Sequence, residues 1–133
     1  MGAFKNLEEV KNHFQNDRFA TSNGAEVVEF NDDLCVCEMK LDDRHKNAYG
    51  GVMGGAIYTL ADFAFAVASN FGKEKATVSV VGSASFMSQP KGSVLYAKAS
   101  LLKDGKSNCF YEVTITDDLE RLIAVVSFNG AHI

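Results

Sequence analysis

The sequence has one proline, no tryptophan, three cysteines and three histidines. Three is an odd number of cysteines, with no disulfide-framework spacing. A stapled secreted domain is therefore not expected, and a reducing cytosol is. Cys35 and Cys37 stand two apart and would share one face of a strand. Only Cys109 and the scattered His13, His45 and His132 could complete a metal site with them, so we read these cysteines as small buried hydrophobes and expect no metal. Dense runs of Lys and Arg are missing and the formal net charge is −4, which makes nucleic acid a poor partner. The first residues lack an apolar stretch of signal-peptide length. Gly2 fails the myristoylation pattern because Asn6 stands where Ser or Thr is needed. A cytoplasmic protein is the expectation.

What is present is ordinary globular material: 133 residues, 47% hydrophobic and 23% charged, enough for one domain over 1–133 with a helical segment in 1–20. Phe4, Leu7, Val10 and Phe14 recur at helical spacing, predicting an amphipathic helix over 4–17. Strands are expected at 26–30 and 34–41 around a turn at Asn31, Asp32 and Asp33. Further on, 77–86, 94–102, 109–116 and 122–128 read as strands in meander-like succession. Asp104-Gly105 marks a hairpin, and Pro90 a turn. Gly82 is a candidate bulge or point of close approach.

Between these halves, residues 47–72 carry a single fully charged side chain, Asp62. Gly54 and Gly55 open the segment, and 56–71 is apolar all round, the signature of a buried helix. Four glycines in its first part and the central aspartate argue against a membrane span. The antiparallel strands with helices on one face predict an α+β fold, its sheet wrapped around the central helix.

A carboxylate inside an apolar helix is costly unless paired, hydrogen-bonded or neutral, which makes Asp62 a functional candidate. The plainer alternative is a local hydrogen bond to Tyr58 or Thr59, or a place at a subunit interface. Gly54 and Gly55 would expose N–H groups where the helix dipole favours negative charge, suited to polarising a carbonyl and stabilising an oxyanion. Two glycines could equally serve a tight turn or close packing. Gly54 and Asp62 are eight residues apart, about 12 Å along a helix axis. One reacting carbon cannot sit beside both, so a shared reaction requires the helix start of one subunit to meet Asp62 of another, in a symmetric dimer.

The run Asn47-Ala-Tyr-Gly-Gly-Val-Met53-Gly54-Gly55-Ala-Ile-Tyr-Thr59-Leu-Ala-Asp62 resembles the PaaI-like branch of the hotdog-fold acyl-CoA thioesterases. The family pattern is Asn, a Gly, His-Gly-Gly, then Thr-Leu-x-Asp. Residues 79–90 resemble the strand that follows the helix there, ending in a turn that adjoins bound coenzyme A, and the likeness runs from about residue 24 to 130. It implies a hotdog fold and hydrolysis of an aryl or short- to medium-chain acyl-CoA, with no cofactor, by a homodimer or a dimer of dimers. It also implies roles. Asp62 is the general base or nucleophile, Gly54 the backbone donor to the thioester carbonyl, Asn47 a polar group beside it, and Ser79 a helper that positions water. Gly55, Met53 and Thr59 fall among the substrate contacts.

The family histidine before Gly-Gly is Met53 here, which cannot donate a strong hydrogen bond. That departure keeps a non-catalytic acyl-CoA-binding protein as the alternative. A hotdog dehydratase would need a histidine beside the acid, and none stands in 47–72. Lys91, Lys103 and Lys106 are candidate cations for nucleotide phosphates, or plain solvated surface.

Overall fold

The computed structural model describes residue 4 and residues 6–31 and 34–133. The readings placed on Gly2 and on the turn at Asp32 and Asp33 lie outside the described residues.

Helix α1 (Leu7–Phe14) begins where the Asn6 side chain accepts the Glu9 N–H at 2.9 Å, an N-cap bond, and it buries Val10 and Phe14. The single helix expected over 4–17 ends there. Asn16 donates its side-chain amide to the His13 carbonyl at 2.9 Å, and such local bonds compete with the helical ladder. The chain turns through Asp17 and resumes as α2 (Arg18–Ser22).

Strands β1 (Ala25–Asn31) and β2 (Leu34–Lys40) precede the central helix α3 (Gly54–Asn70). Strands β3 (Thr77–Phe86), β4 (Val94–Asp104), β5 (Asn108–Asp117) and β6 (Leu122–His132) follow it. All six form one antiparallel sheet in the order β1-β2-β4-β5-β6-β3. The expected succession of four strands is therefore only partly a meander. Strands β4, β5 and β6 follow one another, but β3 lies at the far edge beside β6 and β4 returns to pair with β2. The chain leaving α3 is directed to that edge by Asn70. Its side chain accepts the Thr77 N–H at 2.8 Å and donates to the Thr77 carbonyl at 3.1 Å.

The sheet curves around α3, which packs against β2, β4, β5 and β3. Ile57, Leu60, Ala61, Ala64, Phe65 and Val67 of the helix are buried on several sides, as an all-round apolar helix must be. Cys35, Cys37 and Met39 line the inner face of β2 together, and all three cysteines are free thiols.

Strand β3 lacks the one-sided burial that alternating Ser79, Ser83 and Ser85 with Val78, Val80, Ala84 and Phe86 implies. Val78, Val80 and Val81 are 43%, 59% and 57% exposed. An irregularity in its pairing with β6 falls between Ser79 and Val81, not at Gly82. Gly82 is a close-approach point instead: a Cβ there would strike the Tyr58 hydroxyl. Strand β6 runs to His132, beyond the expected end at 128, because β5 and β3 both pair with it there. Among the described residues no helix is long and apolar enough to cross a membrane.

Candidate active site

Asp62 lies half-buried near the middle of α3. Burial raises its pKa, the charge of Asp17 raises it further, and a hydrogen bond with the Ser79 side chain opposes both. The neighbour that supports the carboxylate thus comes from β3, not from its own helix. Thr59 donates its hydroxyl to the Gly55 carbonyl at 2.8 Å, so it does not serve Asp62. The Tyr58 phenol, one turn before Asp62, has its pKa raised by burial and by the Asp62 charge.

A cleft of about 490 Å³ opens over this carboxylate, between the α1–α2 junction (Asp17, Arg18, Phe19) and α3 (Tyr58, Thr59, Asp62, Phe63). A second cleft of about 440 Å³ shares Phe19, Tyr58 and Thr59 and extends to Arg44, Met53 and Gly55. The two lie along one side of α3, from its first turn to its middle, and both are in the size range of small-molecule sites.

The start of α3 is held by backbone. The Met53 N–H donates to the His45 carbonyl at 2.8 Å, and the helix bonds begin where the Ala56 and Ile57 N–H groups donate to the Met53 carbonyl. Met53 itself provides no side-chain cap and is 56% exposed. The N–H groups of Gly54 and Gly55 precede those bonds, at the positive end of the helix dipole. Gly54 also has a packing reason: a Cβ there would come within 3.2 Å of the Phe86 ring. At Gly55 the nearest neighbours of such a Cβ would be Met53 side-chain atoms at 3.9 Å, so close packing does not require glycine there.

Asn47 organises the preceding loop. Its side-chain oxygen accepts the N–H groups of Tyr49 at 2.9 Å and Gly51 at 3.1 Å, while Gly50 takes a φ of 84° that glycine adopts without strain. Gln89 carries no local sequence signal of a role at the site. Its side chain accepts the Val52 N–H at 2.8 Å and donates to the Val52 carbonyl at 3.3 Å, clasping the loop to the turn after β3. The only hint was its place in the stretch that resembles the family's terminal turn.

None of the three histidines lines the Asp62 cleft. His45 is buried, accepts the Asp42 N–H on Nδ1 at 3.0 Å, and stands 2.6 Å from the Asn23 carbonyl through Nε2. Both nitrogens are engaged when Nε2 carries the hydrogen. His132 bridges Thr77 and Asp104, each at 2.8 Å, at the opposite end of β3 from Phe86. His13 packs against Phe4 and Phe14. Within one chain none of the three candidate lysines lines either cleft: Lys91 lies in the turn before β4, and Lys103 and Lys106 at the β4–β5 hairpin. Among the described residues no group of three or more His, Cys, Asp or Glu stands together as metal ligands would.

Comparison with known proteins places this geometry. The acyl-coenzyme A thioesterase PaaI of Escherichia coli is 26% identical over 118 residues, covering 88% of this chain and 82% of that protein. A solved thioesterase from Pseudomonas aeruginosa superposes with a TM-score of 0.89 at 19% identity, covering 97% of this chain and 94% of that one. A hypothetical thioesterase from Streptococcus pneumoniae, solved with coenzyme A, superposes with a TM-score of 0.77 at 21% identity, covering 90% and 96%. Residues 49–124, from the loop before α3 into β6, match the family model described as Thioesterase superfamily, and the chain belongs to that superfamily, with a hotdog fold.

Proposed function

We propose that the protein hydrolyses acyl-CoA thioesters, with Asp62 as the central catalytic group at a site completed by a second copy of the chain. The observation that carries this reading is the half-buried Asp62 carboxylate on the apolar helix α3, facing a cleft and with Ser79 of β3 lowering the pKa that burial raises. Burial makes the carboxylate a stronger base than it is in water, and it still acts in its ionised form. The thioester carbonyl accepts the N–H of Gly54 or Gly55 of one subunit and faces Asp62 of the other. Asp62 then takes a proton from water as the water oxygen bonds to the carbonyl carbon, or it attacks that carbon directly. In the first route the carbon–sulfur bond then breaks and the proton held by Asp62 passes to the leaving sulfur, giving the free acid and the thiol. In the second the sulfur leaves as thiolate and an acyl anhydride remains on Asp62. Water cleaves that anhydride to the free acid and the Asp62 carboxylate while its proton passes to the thiolate.

Gly54 and Asp62 belong to one unbroken helix, so the 12 Å argument from the sequence applies to the folded chain. The free edge of β3 supports a two-subunit site. Three exposed valines lie along it, and an unpaired apolar edge invites a second strand. Asn47 is a loop organiser that keeps its amide N–H₂ for the reacting groups, while Met53 and Thr59 contribute surface to the acyl cleft. The three free cysteines fit a reducing cytosol.

Exposed Met53, which brings no donor to the helix start, favours the second reading of an acyl-CoA-binding protein without turnover. Thiol release from aryl and C4 to C16 acyl-CoA thioesters separates the two. Asp62→Asn should lower kcat at least about 100-fold. Saturable binding by a wild type that releases no thiol would establish the second reading instead.

A further inference from the structure

We infer that Asp17, at the α1–α2 junction, is a positioning residue of the thioesterase site, a second carboxylate that acts on the reaction through Asp62 across the cleft. This rests on the thioesterase reading and extends it to a part of the chain outside residues 49–124 that match the superfamily.

Asp17 is placed by structure that does not depend on its own side chain. Its N–H donates to the Phe14 carbonyl at 3.0 Å, and its carbonyl accepts both the N–H and the hydroxyl of Thr21 at 3.0 Å. Phe14 meets Phe63 of α3 edge-on, with ring centroids 6.1 Å apart, which fixes the junction against the helix that carries Asp62. The Asp17 side chain does not cap α2, the usual duty of an aspartate in that position. It lines the same cleft as Asp62.

The charged and titratable groups around Asp62 are few. Asp17 and Arg18 face the cleft from the α1–α2 junction, Tyr58 from α3, and uncharged Ser79 contributes from β3. Partial burial raises the pKa of Asp17, and the charge of His13 offsets part of that rise. Of these groups, Asp17 is the one whose charge makes Asp62 harder to ionise, and therefore a better proton acceptor once ionised. Asp17 is shielded by the protein on one side only and remains exposed to water on the other in the free protein, so water screens the pair. An acyl group filling the cleft removes that water, and the repulsion strengthens in the complex.

The test is the pH dependence of thiol release by the full chain, comparing wild type with Asp17→Asn and Asp17→Glu. On the acid limb, Asp17→Asn should retain about threefold more of its neutral-pH activity than wild type retains, and the effect should be larger in kcat than in kcat/KM. Asp17→Glu should keep the wild-type profile. Superimposable limbs in an active, folded Asp17→Asn would overturn the role of Asp17 and leave the thioesterase reading standing. A wild type that releases no thiol at any pH would overturn that reading and the catalytic role of Asp17 with it. The NMR titration of the Asp62 carboxyl needs no turnover, and an Asp62 titration unchanged by Asp17→Asn would remove the coupling itself.

Discussion

Asp117 is 2% exposed and accepts four backbone N–H groups. Lys91 at 2.9 Å and Gly92 at 3.0 Å share one oxygen, and Leu119 at 3.0 Å and Arg121 at 2.9 Å share the other. Burial alone would raise its pKa, but the four donors outweigh burial and bring the carboxyl from its ordinary 3.8 to about 2. The gap between those values corresponds to at most about 2.4 kcal/mol of stability at neutral pH. Asp117 ends β5 and three of its donors, Lys91, Leu119 and Arg121, belong to exposed residues, where solvent screens part of the interaction, so about 1–2 kcal/mol is expected. Because the folded value lies below the unfolded one, the unfolded chain takes up the proton first. The contribution is complete above about pH 4, falls by about half by pH 3, and is gone below about pH 2. Asp117→Asn keeps one acceptor oxygen and turns an NH₂ toward two N–H groups, costing about 2–3 kcal/mol at pH 7. Urea unfolding of both proteins at pH 7 and pH 3 reads the difference directly, with the slope m checked for constancy. The gap between them should narrow at pH 3, and a gap of equal size at both pH values would refute the carboxylate as the source. Thiol release should fall with it, because the turn that Asp117 holds directly follows Gln89, the clasp on Val52.

Two further perturbations test the sheet edge and the close approach at Gly82. Val81→Asp places a charge on the exposed apolar edge of β3. Sedimentation should then show monomers, with kcat reduced at least about 100-fold, and a monomer of full activity would sink the two-subunit site. Gly82→Ala drives a methyl group into the Tyr58 hydroxyl and should destabilise by about 1–3 kcal/mol. Adding Tyr58→Phe removes the first clash and should recover part of that loss in thermal melts. Strictly additive costs would show that the two side chains do not meet.

Most of the architecture was legible because its signals are local or periodic. The apolar run around Asp62 could only be a buried helix, and Cys35 and Cys37 share the inner face of β2 that their spacing required. What misled was β3. Alternation of Ser and Val reads as one wet face and one dry face, yet this edge strand exposes residues of both faces in the single chain. Strand order was equally hidden. Pairing of β2 with β4 depends on where Asn70 sends the chain after α3, and no residue spacing encodes that. The break at Asn16 and Asp17 was open to inference, since such residues favour caps and turns over helix interiors. Gln89 was not, because its partner Val52 lies 37 residues away.

These long-range contacts bear on the methionine before Gly54. If a side chain at position 53 were what fixed the helix start, losing an imidazole there would disorder the backbone donors. In this protein the start is fixed by main chain and by distant residues. Met53 N–H bonds to the His45 carbonyl, Lys46 bridges to Val52, and Gln89 grips Val52 on both its polar atoms. His45 in turn is locked between Asp42 and Asn23. The N–H groups of Gly54 and Gly55 therefore keep their orientation with methionine at 53. What the substitution removes is one side-chain donor, a loss that mutagenesis of comparable donors puts at about 10²- to 10³-fold in rate. A hydrolase that relies on Asp62, Ser79 and oriented backbone can lose that much and still turn over, which is why the catalytic reading stands ahead of the binding one.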